Sequence, residues 1–372
     1  IKEISYYLNK SIDIKNDLLV FDEIQNAPKA LTSLKYFNEE IPELDIACAG
    51  SLLGLYLGEY SFPVGKIEIL EMHPVNFFEF LNALEEFQLL DYLNSINKNN
   101  FKEKKSDVLH YKLWNLLKLY FVVGGLPKSV SIFREYRKRE LEALKNVRKY
   151  QKDMVVSYMA DVAKHSGKVN SMHIERIWSS VASKLQSEHD GSAPKFIFSD
   201  VLEKNSRYSN LKGAIDWLST CGLILKCPIV NTSKIPLSAY TKENIFKLFF
   251  FDIGLLGAIS ELNPELIMDY DYGSYKGYFA ENFVIQELNS KGFKLYNWRE
   301  RTSEVEFLLE HNKSIYPLEV KSGWITQAKS LDVYKHQYNP KNLIITSAKN
   351  FAFMQEKILL PLYSIYNLEA FL

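Results

Sequence analysis

Short apolar runs alternate with a helical pattern at the start of the chain. Residues 17–25, DLLVFDEIQ, hold an apolar run that ends in two acids, which is typical of a buried strand in a parallel sheet. Residues 28–40 predict a helix with Pro28 in its first turn. Residues 44–49 and 65–70 predict two further strands. Strands that alternate with a helix indicate an α/β layer over residues 1–75.

The rest of the chain divides into three further segments. A helical period runs from residue 76 to 165 and is broken by GGLP at residues 124–127. Residues 166–245 predict helices followed by the strand LILKCPIV, an order similar to a winged helix-turn-helix. Residues 246–372 predict an α/β unit: a helix (YFAENFVIQELNSKG), three strands (FKLYNW, EVEFLLE, SIYPLEVKSG), a helix (DVYKHQY) and a strand (NLIITS). The fold class is therefore multidomain α/β.

Composition and charge narrow the class of protein. The 372 residues carry 45 Lys and Arg against 45 Asp and Glu, so a nucleic-acid surface must arise from local clustering. Three cysteines give no disulfide framework and no zinc spacing, and a reducing cytoplasm is the default location. No apolar run approaches the roughly 20 residues that span a bilayer, so we expect no membrane association.

The acids Asp22 and Glu23 end the first strand in the Walker B pattern. An Asp at the carboxyl end of such a strand holds Mg²⁺, and the adjacent Glu polarises the attacking water. The next strand leads to Ser51, a place for a sensor of the γ-phosphate. The alternative is that these are ordinary strand-end acids, which are common.

Longer motifs surround this pair. LLVFDEIQNAPKALTSLKYFNEEIPELDIACAGSLLG, YSFPVGKIEILEMHPVNFFEFL, FVVGGLPKSV, FDIGLLGA, GYFAENFVIQEL and LEVKSG together resemble prokaryotic AAA+ ATPases that carry a C-terminal domain of unknown function. The resemblance covers nearly the whole chain. It implies ATP and Mg²⁺ as ligands, Asp22 and Glu23 as the Mg²⁺ and water residues, and Ser51 as the sensor. Lys66 stands where many relatives have Arg, so it either reaches a γ-phosphate or is a solvated strand-end Lys.

The resemblance has one gap. AAA+ catalysis needs a phosphate-binding loop, G-x-x-x-x-G-K-[ST], and no stretch of this sequence fits that pattern. Only 21 residues precede Asp22, too few for the strand, loop, helix and strand that the family places there. We therefore expect a partial P-loop NTPase layer, from a fragment of a longer ATPase or from a split or decayed gene. We also expect no ATP hydrolysis by this chain alone.

A second group of acids lies in the C-terminal segment. The spacing E-x-E-x(12)-E-x-K ends at Lys321 and resembles the PD-(D/E)XK nuclease core, in which two acids on adjacent strands hold Mg²⁺ and the Lys assists the attacking water. The resemblance implies a restriction-endonuclease-like domain with Glu281, Glu306 and Glu319 as metal ligands, and with Glu306, Glu319 and Lys321 as catalytic residues. Glu306 stands where Asp is more usual. The alternative is a nuclease-like fold whose acids pair with Lys321 structurally.

The middle segment suggests a DNA contact. Lys204, Arg207 and Lys212 lie in or near its candidate recognition helix, although winged helices also serve as protein contacts. The expected partners are DNA, a second copy of the chain or an N-terminal half. Three functions compete: part of a nucleotide-dependent AAA+ switch, a non-catalytic DNA- or protein-binding module, and an Mg²⁺-dependent nuclease. The corresponding segments are residues 1–75 (partial ATPase core), 76–165 (lid-like helices), 166–245 (winged-helix-like) and 246–372 (nuclease-like).

Overall fold

The computed structural model describes residues 1–50, 65–165, 168–183 and 208–372. The chain forms two compact units, Ile1–Met72 and His73–Leu372, called unit 1 and unit 2. Together they are a mixed α/β protein.

Unit 1 is built on a pair of parallel strands. β1 pairs with β2 in a register that places Leu18 opposite Asp45 and Phe21 opposite Cys48. The predicted helix after Pro28 is confirmed. The elements are α1 (Lys2–Leu8), β1 (Leu18–Phe21), a 3-10 turn (Ile24–Asn26), α2 (Pro28–Glu40) and β2 (Asp45–Cys48).

Among the described residues of unit 1, α2 covers one face of this strand pair. Leu31 and Leu34 of that helix pack with Ile24 in a small core. On β1 the burial alternates, and Leu18 and Val20 are 60% and 59% exposed. The prediction of a fully buried strand is therefore wrong, because a parallel strand is buried on both faces only when both carry a covering layer.

The third strand predicted in this unit, residues 65–70, does not form. These residues have no regular secondary structure. Ile67 nevertheless packs against the small core under α2, whereas Ile69 and Leu70 are 59% and 77% exposed.

Unit 2 begins with helices, and the predicted helical period over residues 76–165 is confirmed. The described helices are α3 (Phe77–Ala83), α4 (Phe87–Ser95), α5 (Asp107–Val123), α6 (Pro127–Tyr136), α7 (Glu140–His165), α8 (Lys168–Ser183), α9 (Tyr208–Thr220), α10 (Ile253–Ile259), α11 (Pro264–Met268), α12 (Tyr275–Ser290) and α13 (Lys329–Tyr338).

Unit 2 also holds an eight-stranded mixed sheet in the order β4-β3-β5-β6-β7-β8-β10-β9. Its strands are β3 (Ile224–Val230), β4 (Phe246–Phe250), β5 (Leu295–Glu300), β6 (Ser303–His311), β7 (Ser314–Val320), β8 (Leu343–Ser347), β9 (Ala352–Met354) and β10 (Lys357–Pro361). The strand of the winged-helix-like segment thus belongs to the same sheet as the nuclease-like strands, because β3 pairs with β5.

Local signals explain where several helices begin. Asn76 and Glu79 form a reciprocal capping box at the start of α3. The hydroxyl of Ser106 accepts from the Leu109 N–H at the start of α5, and that helix ends at Gly124, which has φ 70°. These caps place the GGLP break where the sequence predicts it.

The motifs VVGGLP and FDIG meet in the core of unit 2. The buried carboxylate of Asp252 accepts from the Gly125 N–H at 2.6 Å and from the Leu255 N–H at 2.9 Å. A Cβ on Gly125 would lie 2.3 Å from the Val75 carbonyl oxygen, so only glycine allows this approach. Arg148 is buried nearby and donates to the Gly254 carbonyl at 3.0 Å.

Polar side chains on the buried face of α12 hold other elements in place. Asn282 bonds both the N–H and the carbonyl of Phe250, and Gln286 accepts from the Ile253 N–H. Glu287 accepts from the Phe77 N–H at 3.1 Å, at the start of α3. Helix α12 therefore connects the sheet with the helices of the same unit.

Candidate functional site

Asp22 and Glu23 lie at the carboxyl end of β1, as predicted. Backbone bonds from Ala49 N–H to the Phe21 carbonyl and from Ile24 N–H to the Ala49 carbonyl bring the carboxyl end of β2 beside them. Both acids are exposed. Asp22 Oδ1 accepts from the Glu23 N–H at 3.0 Å, and Glu23 adopts a left-handed conformation with φ 49°. Ligands of open α/β sheets bind at this edge.

Of the two other residues predicted for the nucleotide, the structure describes Lys66. Ser51 lies outside the described residues. Lys66 Nζ is 3.7 Å from a carboxylate oxygen of Glu39, in the last turn of α2. That helix has 13 residues and is about 20 Å long, so its last turn is remote from Asp22. This arrangement places Lys66 in a surface ion pair.

Glu306, Glu319 and Lys321 are brought together on β6 and β7. Phe307 pairs with Leu318, and continuing that antiparallel register puts Glu306 opposite Glu319. Lys321 Nζ is 2.8 Å from Glu319 and 4.0 Å from Glu306. Burial and the facing Glu319 hold the pKa of Glu306 well above its usual range. Burial opposes the charge on Lys321, but Glu319 and Glu306 outweigh it and raise the pKa of Lys321.

A buried lysine that the sequence analysis missed, Lys247, lies beside these residues and pairs with two further glutamates. Lys247 of β4 is 1% exposed, and its Nζ lies 3.5 Å from Glu281 and forms an ion pair with Glu304. Burial disfavours the ammonium, yet the two carboxylates outweigh that effect and raise the pKa of Lys247. Arg299 Nε lies 3.8 Å from the same Glu304. We call Lys247, Glu281, Glu304, Glu306, Glu319 and Lys321 the Glu–Lys cluster.

The predicted metal site on Glu281, Glu306 and Glu319 stays a prediction. Glu281 faces the Lys247 ammonium, and no group of three acid, His or Cys side chains within the described ranges converges as metal ligands. One oxygen, Glu319 Oε2, is buried without a hydrogen-bond partner among the described residues. Buried carboxylates are satisfied by cations or by protons, and here lysines supply the cations.

Of the three predicted DNA-reading residues, the structure describes Lys212. Lys204 and Arg207 lie outside the described residues. Lys212 lies on α9 and forms an ion pair with Glu243. Its ammonium is thus shared with a carboxylate of the same protein.

Several buried polar residues escaped the sequence reasoning. Lys247, Asp252 and Glu287 are each at most 1% exposed. The available signal is a charge inside an otherwise apolar run, as in FKLFFFD, because a charged residue is fully buried only when it has a partner. The sequence offered no means of naming those partners, which lie up to 210 residues away.

The chain combines an α/β strand pair bearing strand-end acids with a large α/β unit bearing a buried Glu–Lys cluster. Residues 1–81 match an AAA domain family. Residues 115–266 and 276–365 match two domains of unknown function, DUF8612 and DUF4143. The first and last of these matches support an AAA-like ATPase family. No curated protein matches the chain.

Within the described ranges, every helix is too short or too polar to cross a bilayer.

Proposed function

We propose that the protein acts as a nucleotide-dependent switch of the AAA type. Asp22 would hold the Mg²⁺ of bound ATP, and Glu23 would orient the water. The observation that carries this proposal is the shared carboxyl edge of β1 and β2, where both acids are exposed. The donor chemistry fits, because Mg²⁺ is usually held by one or two carboxylates together with phosphate oxygens and water.

We propose further that the 372 residues do not turn over ATP unaided. The acids stand at the right edge, but the sequence holds no G-x-x-x-x-G-K-[ST] stretch to wrap the phosphates. Without that backbone cradle, Mg²⁺-ATP contacts the protein mainly through Asp22. Binding should then be weak and dependent on this carboxylate.

Paramagnetic broadening by Mn²⁺-ATP tests this assignment. In amide spectra of the full chain, we expect signals of residues 21–24 and 49 to broaden first, and the effect to be lost in Asp22→Asn. Asp45→Asn is the matched control, because Asp45 is an exposed acid at the other end of β2. Broadening that survives in Asp22→Asn, or that is centred elsewhere, would refute the proposal.

A second candidate function concerns unit 2, which we propose is a binding module that does not cut nucleic acid. The specific observation is Lys247, whose buried ammonium lies where a nuclease of this pattern would need Glu281 for a metal. The two strand acids and Lys321 keep the nuclease-like spacing, while the lysines compensate their charge.

Incubation of the chain with supercoiled plasmid and Mg²⁺ or Mn²⁺ tests this second candidate. We expect no nicking above the background of a Lys321→Ala variant. Metal-dependent nicking that Lys321→Ala abolishes would show that the chain is a working nuclease. It would refute the proposal that unit 2 binds without cutting nucleic acid.

A further inference from the structure

A basic pocket lies on unit 2, apart from the Glu–Lys cluster. It has a volume of about 410 Å³ and is formed by three separate segments: the loop after β3, the turn between β6 and β7, and the loop between α13 and β8. Each segment contributes one lysine, namely Lys234, Lys313 and Lys341. All three are exposed. We call this feature the three-lysine pocket.

The charge of the three-lysine pocket is not balanced locally. Among the described residues that line it, none is an Asp or a Glu. Among the residues that the structure describes, none of its three ammonium groups has a carboxylate within ion-pair distance. The acid Glu300 is nearby in the fold but accepts from Gln337 at 2.6 Å and lies outside the lining. The carboxyl end of α13 adds only about half a negative charge, against three positive ones.

The backbone fixes two of the lysines in place. Asn312 and Lys313 are consecutive left-handed residues, φ 46° and 59°, between the paired residues His311 and Ser314. This is the geometry of a tight two-residue hairpin turn, which holds Lys313 at the pocket. Asn339 closes α13 in a left-handed cap two residues before Lys341. These turns therefore set the backbone positions of Lys313 and Lys341 at the pocket.

Neutral hydrogen-bonding groups complete the lining. Ser233, Ser314 and Asn339 contribute side chains that donate as well as accept. Cations combined with hydroxyl and amide donors form the environment that phosphate oxygens require. A pocket without carboxylates does not suit a metal ion or an amine.

We propose that the three-lysine pocket binds phosphate groups, supplied either by a nucleic-acid backbone or by a free polyphosphate such as a nucleotide tail. The site lies at the start of β7, whereas Glu319 and Lys321 lie at its end, so it is distinct from the Glu–Lys cluster. The proposal goes beyond the nucleotide role of unit 1 and does not depend on it.

Binding of two probes to the full chain tests the pocket: a labelled 20-base-pair DNA duplex and inorganic tripolyphosphate, each at low and high salt. The test variants are Lys313→Glu/Lys341→Glu and the milder Lys313→Gln/Lys341→Gln. Lys128→Glu is the matched control, because Lys128 is an exposed lysine of α6 outside the pocket. Circular dichroism establishes that each variant is folded.

We expect the Glu pair to weaken binding of at least one probe tenfold or more, the Gln pair to weaken it less, and the control to change it less than twofold. Duplex affinity that falls steeply with salt assigns the pocket to a nucleic-acid backbone. Tighter binding of tripolyphosphate assigns it to a free polyphosphate. The proposal is overturned if neither probe binds, or if both bind the Glu pair and the control equally. Either of these two outcomes would leave the proposed nucleotide site at Asp22 untouched, because that site is tested separately by Mn²⁺-ATP broadening.

Discussion

Removing the ammonium of Lys247 is the sharpest test of the Glu–Lys cluster. At 3.5 Å from Glu281, an effective dielectric constant of about 20 gives an attraction of about 5 kcal/mol. Lys247→Met preserves much of the side-chain volume but leaves Glu281 and Glu304 without their buried cation. Breaking a buried pair in this way costs about 3–5 kcal/mol. We therefore expect Lys247→Met to destabilise unit 2 by that amount.

Urea unfolding followed by tryptophan fluorescence measures this loss, because all five tryptophans lie in unit 2. The triple variant Lys247→Met/Glu281→Gln/Glu304→Gln removes the charges of Lys247 and of its two carboxylate partners, and its stability should return to within about 2 kcal/mol of the original chain. The matched control is Lys212→Met, which breaks an exposed ion pair and should shift the midpoint little. If Lys247→Met costs no more than Lys212→Met, or if the triple variant is no better than the single one, the reasoning is wrong.

Two further predictions concern the core of unit 2. Burial raises the pKa of Glu287 to about 8, so the folded chain binds the proton of this carboxyl more tightly than the unfolded chain does. The protonated carboxyl therefore stabilises the fold at acid pH, and this stabilisation is lost as the pH rises from about 4.5 through 8. Relative to Glu287→Gln, the original chain should lose about 3 kcal/mol of unfolding free energy between pH 5 and pH 8, and a difference that stays constant with pH would contradict this. Gly125→Ala should lower the free energy of unfolding by about 3 kcal/mol, because the new Cβ would lie 2.3 Å from the Val75 carbonyl oxygen. Thermal unfolding would show this loss as a lower midpoint temperature. Gly323→Ala, where a Cβ meets nothing within 4 Å, is its control, and equal midpoints for the two variants would show that the glycine contact is not tight.

Hydrophobic periodicity located most elements of unit 2 because each has a strong local signal. The helix after Ser274 and the strands FKLYNW, EVEFLLE and SIYPLEV appear where the apolar pattern predicts them. In unit 1 the same reasoning failed for residues 65–70, where Ile67 packs against the core under α2 but Ile69 and Leu70 are exposed, and no strand forms. A short apolar run indicates burial, but its partner decides whether it becomes a strand.

The sequence predicted the parts of the candidate sites that lie along a single strand, but not the contacts between separate elements. Glu319 in β7 and Lys321, the first residue after β7, point to the same side because they are two residues apart, and this follows directly from strand geometry. Lys247 lies 34 residues before Glu281, and its role depends on β4 lying beside helix α12. The convergence of Lys234, Lys313 and Lys341 likewise depends on the three-dimensional arrangement of three loops, which spacing along the chain does not encode.

The central claim is that the chain presents the acids of an AAA-type site, Asp22 and Glu23, without a stretch that cradles phosphate. Release of inorganic phosphate from Mg²⁺-ATP by the purified chain, compared with Glu23→Gln, tests it most directly. We predict no difference between the two proteins above the buffer rate. Magnesium-dependent release by the original chain that disappears in Glu23→Gln would contradict the claim, because it would require a phosphate cradle within these 372 residues.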